Sequence, residues 1–125
     1  MAITLLIVDD SMTMRSVIKK TVQMSGFEAD TYLEAGSGAE AIITLAKKRV
    51  DLILSDINMP EMTGIQMLKR LKSEPHFATI PVIMISTEGS EERIREAMDA
   101  GASGYLKKPF QPEEIRALLE ENLGD

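Results

Sequence analysis

The sequence predicts an α/β domain in which five strands alternate with five helices around an open parallel sheet. Short apolar runs alternate along the chain with segments whose apolar residues recur at helical spacing. Four of the five runs are continuously apolar at their centres, as expected for strands covered by helices on both faces. With right-handed crossovers this order gives a doubly wound (βα)₅ sandwich, whereas a closed barrel of this type needs eight units.

The strands are predicted from the apolar runs and the turn residues that bound them. The second run is a weaker strand candidate and is more polar than the others, so we expect it at an edge of the sheet. The flavodoxin-like strand order 2-1-3-4-5 then places a crevice between the first and third strands. The predicted strands are Ile3–Val8, about Ala29–Glu34, Asp51–Asp56, Pro81–Ser86 and Gly104–Lys108.

Helix ends are marked by capping residues. Ser37 to Glu40 and Thr63 to Gln66 both match a capping box. The first helix is expected to end before Gly26 and the fourth at Gly101, while Pro112 suits the first position of the fifth helix. The side chains predicted to be buried are Met14, Val17, Ile18 and Val22 of the first helix, Ala41, Ile42, Leu45 and Ala46 of the second, Met67, Leu68 and Leu71 of the third, Ile94, Ala97 and Met98 of the fourth, and Ile115, Leu118 and Leu119 of the fifth.

Composition narrows the class of protein. A chain of 125 residues is long enough for one domain with a core, and we expect residues 1–125 to form that single domain without an output domain. The net charge of -6 disfavours nucleic-acid partners and membrane surfaces. The absence of Cys excludes disulfides and thiolate metal sites and fits a reducing compartment. No apolar run reaches membrane-spanning length, so we expect a cytoplasmic protein without membrane insertion.

Polar side chains terminate four of the predicted strands. Asp9 and Asp10 follow the first strand, Asp56 ends the third, Ser86 ends the fourth and Lys108 ends the fifth. The carboxyl ends of parallel strands lie at one edge of a sheet, where ligands of this fold class bind. We therefore expect the three carboxylates to converge, with a hydroxyl and an ammonium group beside them.

Such a cluster suits a Mg²⁺-dependent reaction with phosphate. Three adjacent carboxylates repel one another unless a cation joins them, and Mg²⁺ prefers oxygen ligands. A carboxylate beside Mg²⁺ and a lysine is a nucleophile towards phosphorus, as in enzymes that form aspartyl phosphates. Each residue alone also has an ordinary explanation, since Asp9 and Asp10 can cap a helix and Asp56 can form a turn. The joint pattern at four strand ends is what favours the site.

Two other functions use similar features. A phosphatase of the haloacid-dehalogenase type also combines an Asp nucleophile with Mg²⁺, a hydroxyl and a lysine, but its motif is D-x-D and this chain has adjacent Asp9 and Asp10. A flavin-binding flavodoxin would need a Ser/Thr-rich phosphate loop and aromatic residues around the ring. Trp is absent here and aromatic residues make up 4% of the chain.

Four segments resemble a known family, the receiver domains of two-component response regulators. These segments are "LLIVDDSMTMR", "DLILSDINMPEMTG", "PVIMIST" and "GASGYLKKPF". The resemblance covers essentially the whole chain and is greatest to the single-domain regulators of chemotaxis. It is specific, because five separated positions and the D-x-N-M-P segment all agree.

The resemblance implies a role for each residue of the cluster. Asp56 would accept a phosphoryl group from the phosphohistidine of a sensor histidine kinase. Asp9, Asp10 and Asp56 would bind Mg²⁺ together with the backbone carbonyl of Asn58. Lys108 would contact the phosphoryl group and precede a cis peptide bond to Pro109. The protein would then catalyse only its own phosphorylation and dephosphorylation.

The same resemblance implies how the signal leaves the domain. Ser86 would be the switch hydroxyl and Tyr105 the switch aromatic that follows it. Asn58 and Glu88 would tune the lifetime of the phosphoryl group, which we expect to be short.

Output would be a protein-binding face built from the fourth helix, fifth strand and fifth helix, including Ile94, Tyr105 and Ile115, although either isoleucine is also explained by burial in the core. A monomer that binds a target such as a flagellar motor switch component is expected. A receiver in another phosphorelay is the alternative.

Overall fold

The computed structural model describes residues 2–87 and 89–123, and within them the predicted alternation of five strands and five helices is confirmed. Observed bounds differ from the predicted ones by a residue or two at most ends. The elements are β1 Thr4–Val8, α1 Met12–Met24, β2 Thr31–Ala35, α2 Gly38–Lys47, β3 Leu52–Asp56, α3 Gly64–Lys72, β4 Val82–Ser86, α4 Glu91–Asp99, β5 Gly104–Lys107 and α5 Pro112–Leu123.

All five strands are parallel, in the order β2-β1-β3-β4-β5. This confirms the predicted order and the edge position of the second strand. β2 begins two residues later than predicted, at Thr31. The reason is local, because the carboxylate of Asp30 accepts a hydrogen bond from the backbone N–H of Ile3 and so belongs to the turn that leads into the strand.

The core consists of two layers, one on each face of the sheet. One layer joins alternate strand residues to α1 and α5, and its helical members include Ile18, Val22, Ile115 and Leu119. The other layer joins the remaining strand residues to α2, α3 and α4. β3 and β4 are buried along their whole length, since both of their faces are covered.

Three side chains predicted to be buried are exposed. Val17 and Met98 are 47% and 44% exposed, and Ala46 also faces solvent. Each is adjacent in sequence to a fully or largely buried residue, namely Ile18, Ala97 or Leu45. Successive residues on a helix are about 100° apart, so these side chains lie at the margin of an apolar stripe that is narrower than predicted.

The helix ends follow the sequence signals, with one correction. Thr63 and Gln66 form a complete capping box at the start of α3. At α2 the prediction is only half right, because Ser37 accepts from the N–H of Glu40 but the Glu40 carboxylate accepts from Gly36. Gly26 and Gly101 have φ of 86° and 109° just beyond α1 and α4, the left-handed conformation that glycine adopts most readily.

Among the described residues, no helix combines the length and apolar character that a membrane crossing requires.

Candidate functional site

The period-two alternation of the strands brings Asp9, Asp56 and Lys108 to one side of the sheet. Leu5 and Ile7 face the α1 and α5 layer, and Asp9 continues that series beyond the end of β1. In the same way Asp56 follows Leu52 and Leu54, and Lys108 follows Leu106. The strands thus deliver two acids and one base to the same edge and the same face.

The three aspartates predicted at strand ends form one cluster. Asp9, Asp10 and Asp56 each offer a carboxylate oxygen, and these oxygens lie within 4.8 Å of one another. Asp9 is 1% exposed and Asp56 8%, whereas Asp10 faces solvent. One oxygen of Asp9 accepts from the N–H of Ser11 at 2.9 Å, while the buried Oδ2 has no hydrogen-bond partner among the described residues.

Lys108 is shared between the two buried acids. Its Nζ lies 3.6 Å from Oδ2 of Asp9 and 3.6 Å from Oδ1 of Asp56. These distances indicate ion pairs that are too long for strong hydrogen bonds. Burial raises the pKa of Asp56 above its ordinary value of 3.8, and the neighbouring Asp9 adds to the rise. Lys108 and the N–H of Ile57 oppose this change in the pKa of Asp56 without cancelling it.

The loop after Asp56 is fixed by its own apolar residues. Ile57 and Met59 are buried, so the intervening Asn58 is turned out to the surface. Glu61 then has a φ of 67°, and the N–H of Met62 donates to the carbonyl of Pro60 at 2.7 Å, which closes a three-residue turn. A non-glycine residue at positive φ is strained, and such strain persists where surrounding contacts impose it.

Gly64 allows α3 to start directly against the end of β3. Its N–H donates to the carbonyl of Ile57 at 2.8 Å. A Cβ at this position would lie 2.2 Å from the backbone oxygen of Asp56, a distance that no packed carbon adopts. In the sequence, Gly64 is recognisable only as part of a helix start, and nothing in the local pattern shows the close approach.

Two other predicted residues, Ser86 and Tyr105, lie on β4 and β5. Ser86 is fully buried at the end of β4, one position beyond the pairing of Ile85 with Asp56. Its backbone carbonyl accepts from the N–H of Lys108 at 2.7 Å, and the bond between Lys108 and Pro109 is cis, as predicted. Tyr105 is half-buried on β5, where it packs against the layer formed by α2, α3 and α4.

The predicted partner face needs one correction. Ile94 is partly exposed on α4, but Ile115 is fully buried between α5 and the sheet. Including Ile115 in the binding face was therefore wrong, because the apolar stripe of α5 places it in the core. Glu88, predicted to tune the phosphoryl lifetime, lies outside the described residues.

Arg15 is a further residue beside the cluster, and its contacts were not predicted from the sequence. Its side chain is 15% exposed and its Nε donates to Oε1 of Glu34 at 2.8 Å. Its Nη1 donates to the backbone carbonyl of Asp9 at 2.6 Å. The position of Arg15, six residues after an aspartate and on the first turns of the next helix, was the available signal, although it does not identify the partners.

The donor set fits a hard divalent cation. Three carboxylates supply oxygen ligands, and the buried Oδ2 of Asp9 has no hydrogen-bond donor among the described residues. Mg²⁺ uses one or two carboxylates and keeps several waters, which the exposed Asp10 side of the cluster can accommodate. A buried carboxylate next to a lysine can also act as a nucleophile if a cation offsets the charge of its neighbours.

Comparison with known proteins agrees with the fold and identifies a family. Residues 5–120 match the family described as response regulator receiver domain. The chain is 41% identical over 121 residues to a chemotaxis protein CheY homolog of Campylobacter jejuni, covering 96% of this chain and 92% of that protein. It is 43% identical over 121 residues to chemotaxis protein CheY1 of Helicobacter pylori, covering 96% of each chain.

A solved structure gives the same result in three dimensions. The chemotaxis protein CheY4 of Vibrio cholerae superimposes with a TM-score of 0.85 at 36% identity. The match covers 98% of this chain and 100% of the CheY4 chain. The similarity therefore extends over the whole domain and is not confined to the acidic cluster.

Proposed function

This chain belongs to the response regulator receiver domain family, and on that premise we propose that it is a phosphoryl-accepting regulator of chemotaxis. Asp56 receives a phosphoryl group from the phosphohistidine of a sensor histidine kinase in a Mg²⁺-dependent reaction. The phosphorylated domain then signals through a changed protein-binding surface. Chemotaxis is supported by the names of the relatives in Campylobacter jejuni, Helicobacter pylori and Vibrio cholerae.

One observation carries the proposal, namely the buried pair of carboxylates around a single lysine. Asp56 is held at the end of a fully buried strand, with Lys108 3.6 Å away and a second buried acid, Asp9, at the same distance from that lysine. A buried, ionised acid lowers the stability of the folded state. Stability therefore does not explain this arrangement, whereas binding of a cation and a phosphoryl group does.

The transfer step follows from the position of Asp56. A carboxylate oxygen attacks phosphorus, the P–N bond of the phosphohistidine breaks, and its electron pair returns to the imidazole nitrogen. Asp9, Asp10, Asp56 and the carbonyl of Asn58 would hold Mg²⁺, whose positive charge would offset the acids and the phosphate oxygens. Lys108 lies close enough to Asp56 to contact an oxygen of the bound phosphoryl group.

The phosphoryl group is lost by hydrolysis. A water oxygen attacks phosphorus, the P–O bond to Asp56 breaks, and phosphate leaves as the carboxylate is restored. Asn58 faces solvent two residues after Asp56, where its side chain can orient that water. We expect Asn58 and Glu88 to set the lifetime, and substitutions at both positions that leave the dephosphorylation rate unchanged would contradict this assignment.

Output depends on the neighbouring strands. Ser86 moves towards the phosphoryl oxygen, and half-buried Tyr105 turns inward into the space that is vacated. This reshapes the surface formed by α4, β5 and α5, with Ile94 and Tyr105 as its apolar members. A coupling of about 1–3 kcal/mol between phosphorylation and target binding is typical of such switches. The target is a protein such as a flagellar motor switch component, and the regulator acts as a monomer in the cytoplasm.

The experiment is incubation with Mg²⁺ and a small acyl phosphate, followed by intact-mass spectrometry. We expect one added phosphoryl group, which disappears when a chelator is present or when the variant is Asp56→Ala. Asp51→Ala is the matched control, since Asp51 also borders β3 but lies at its other end, and its labelling should equal that of the unsubstituted protein. Labelling that persists in Asp56→Ala would contradict the site assignment.

A further inference from the structure

The helix dipole of α1 does not favour a cation at the position of Arg15. This residue lies in the second turn of α1, near the positive end of the helix dipole, and α1 carries no acid in its first turn. Two hydrogen bonds nevertheless hold the guanidinium in place. Glu34 of β2 accepts from Nε and the carbonyl of Asp9 accepts from Nη1. Gly36 lies nearby, since a Cβ there would be 3.4 Å from Nη1.

The bond to the carbonyl of Asp9 fixes the peptide plane between Asp9 and Asp10. Asp9 is secured in two other ways, since its N–H donates to the carbonyl of Ala35 at 3.1 Å and its Oδ1 accepts from Ser11. Asp10 is exposed, so the direction of its side chain depends on that peptide plane. Charge-assisted bonds such as that from Arg15 are shorter and stronger than neutral ones, and this one measures 2.6 Å.

We propose that Arg15 and Glu34 form a clamp that positions Asp10 for binding Mg²⁺, so that Arg15 is a positioning residue for the phosphoryl-transfer site. This inference rests on the proposed function, because it assigns a purpose to the clamp in the same reaction. The clamp joins the ends of β1 and β2 to the start of α1. It therefore controls the geometry of the only exposed carboxylate in the cluster.

The sign of one measurement separates positioning from simple charge neutralisation. If Arg15 only offset the acids, its removal would leave one less cation to repel Mg²⁺, and Mg²⁺ would bind more tightly. If Arg15 positions Asp10, its removal misplaces a ligand and Mg²⁺ binds more weakly. Loss of a group that orients metal ligands typically lowers metal affinity by about 10–100-fold.

The test is titration of the ¹⁵N-labelled full chain with MgCl₂, with binding measured from the changes in amide chemical shifts. We expect Arg15→Met to weaken Mg²⁺ binding by about 10-fold and to move the amide signals of Asp10 and Ser11 before any Mg²⁺ is added. Arg15→Lys keeps the charge but cannot reach both acceptors, so it should show a smaller loss. Arg49→Met is the matched control, because Arg49 is 82% exposed at the opposite edge of the sheet, and its affinity should not change.

The direction of the change in Mg²⁺ affinity in Glu34→Ala gives a second test. Positioning predicts that Glu34→Ala and Arg15→Met both weaken binding and that the double variant is no weaker than Arg15→Met alone. Neutralisation predicts opposite signs for the two single variants. Unchanged or tighter binding in Arg15→Met would overturn the proposal, and Arg15→Lys decides the matter in the same way if Arg15→Met does not fold. Failure of the unsubstituted protein to bind Mg²⁺ would overturn the proposed function together with the clamp.

Discussion

Aspartates lie at both edges of the sheet, and the two edges treat them differently. At the amino edge, Asp30 accepts from the N–H of Ile3, and Asp51 accepts from the N–H of Thr4 at 2.8 Å and pairs with Arg49 at 3.3 Å. At the carboxyl edge, Asp9 and Asp56 are both buried and share Lys108. One oxygen of Asp9 has no hydrogen-bond partner among the described residues.

The lysines show the same contrast. At the amino edge, Lys72 donates to the carbonyls of Ala78 at 2.9 Å and Ile80 at 3.2 Å, and so closes the loop before β4. Lys108 at the carboxyl edge lies 3.6 Å from each of its acids, beyond ordinary hydrogen-bonding distance. Residue type alone therefore does not mark the site. What marks it is polar groups whose hydrogen-bonding capacity the fold leaves partly unused.

The largest effect on stability is expected at Gly64, which shapes the carboxyl edge. In Gly64→Ala the new Cβ would meet the backbone oxygen of Asp56 at 2.2 Å, and backbone cannot move aside as a flexible side chain can. We expect the free energy of unfolding to fall by about 3 kcal/mol, in the range of severe packing errors, as measured by urea denaturation. Gly36→Ala is the control, since its Cβ would meet only side-chain atoms at 3.4 Å and beyond, and a comparable loss there would contradict the explanation.

The next prediction compares a lysine-to-methionine substitution at the carboxyl edge with the same substitution at the amino edge. Lys108→Met removes the cation shared by Asp9 and Asp56, and we expect phosphoryl uptake from an acyl phosphate to fall by about 100-fold. Lys72→Met should leave uptake unchanged and instead lower the free energy of unfolding by about 1–2 kcal/mol, because two carbonyls lose their donor. Equal rates of uptake in the two variants would remove the functional distinction between the edges.

A smaller effect comes from neutralising one acid at each edge. Because burial raises the pKa of Asp56, its ionised form destabilises the fold, so Asp56→Asn should raise the free energy of unfolding. A gain of about 1 kcal/mol corresponds to roughly 3–6 °C in Tm for a domain of this size. Asp51→Asn should act in the opposite direction by about 0.5 kcal/mol, since it weakens a satisfied bond and an ion pair.

The pH dependence of that gain has a definite sign. A carboxyl whose pKa is raised on folding holds its proton more tightly in the folded state than in the unfolded state. The difference between the unsubstituted protein and Asp56→Asn should therefore be smallest below pH 3.8, the ordinary value, and grow as the pH rises through the raised pKa of Asp56. Thermal melts of both proteins at several pH values measure it, and a gap that narrows with rising pH would count against the burial of a charged Asp56.

The smallest effect concerns the strained turn after Asp56. Glu61 has a φ of 67°, so Glu61→Gly should relieve strain and raise the free energy of unfolding by about 0.5 kcal/mol, after the entropy of the added glycine is included. The same change at Glu74, an exposed residue without positive φ, should lower the stability instead. Denaturation midpoints of the two variants that move in the same direction would show that the turn at Glu61 is not strained.

Sequence patterns predicted the fold because each element carries its own signal. Continuous apolar runs indicated buried parallel strands, and the polarity of the second run placed β2 at the edge. The exact width of the helical stripes could not be read in this way, as Val17, Ala46 and Met98 show, because it depends on how closely each helix approaches the sheet. Ile115 was given two interpretations, as a core residue and as part of the binding face, and its full burial confirms the first.

The site was predicted to the extent that it depends on strand ends. Asp9, Asp10, Asp56 and Lys108 come together because parallel strands end at one edge. Gly64 and Arg15 were not assigned their contacts, since both depend on tertiary distances between segments that no spacing rule encodes. The unused oxygen of Asp9 is likewise visible only once the neighbours of every atom are known.

The most direct test of the difference between the edges is to locate the phosphoryl group after labelling. The protein is treated with Mg²⁺ and a small acyl phosphate, reduced with borohydride, and digested for peptide sequencing by mass spectrometry. Reduction converts a phosphorylated aspartate to homoserine. The result we predict is homoserine at position 56 and unchanged aspartate at positions 30 and 51. Homoserine at position 30 or 51, or its absence from position 56 in a labelled sample, would contradict the assignment of Asp56 as the phosphoryl acceptor.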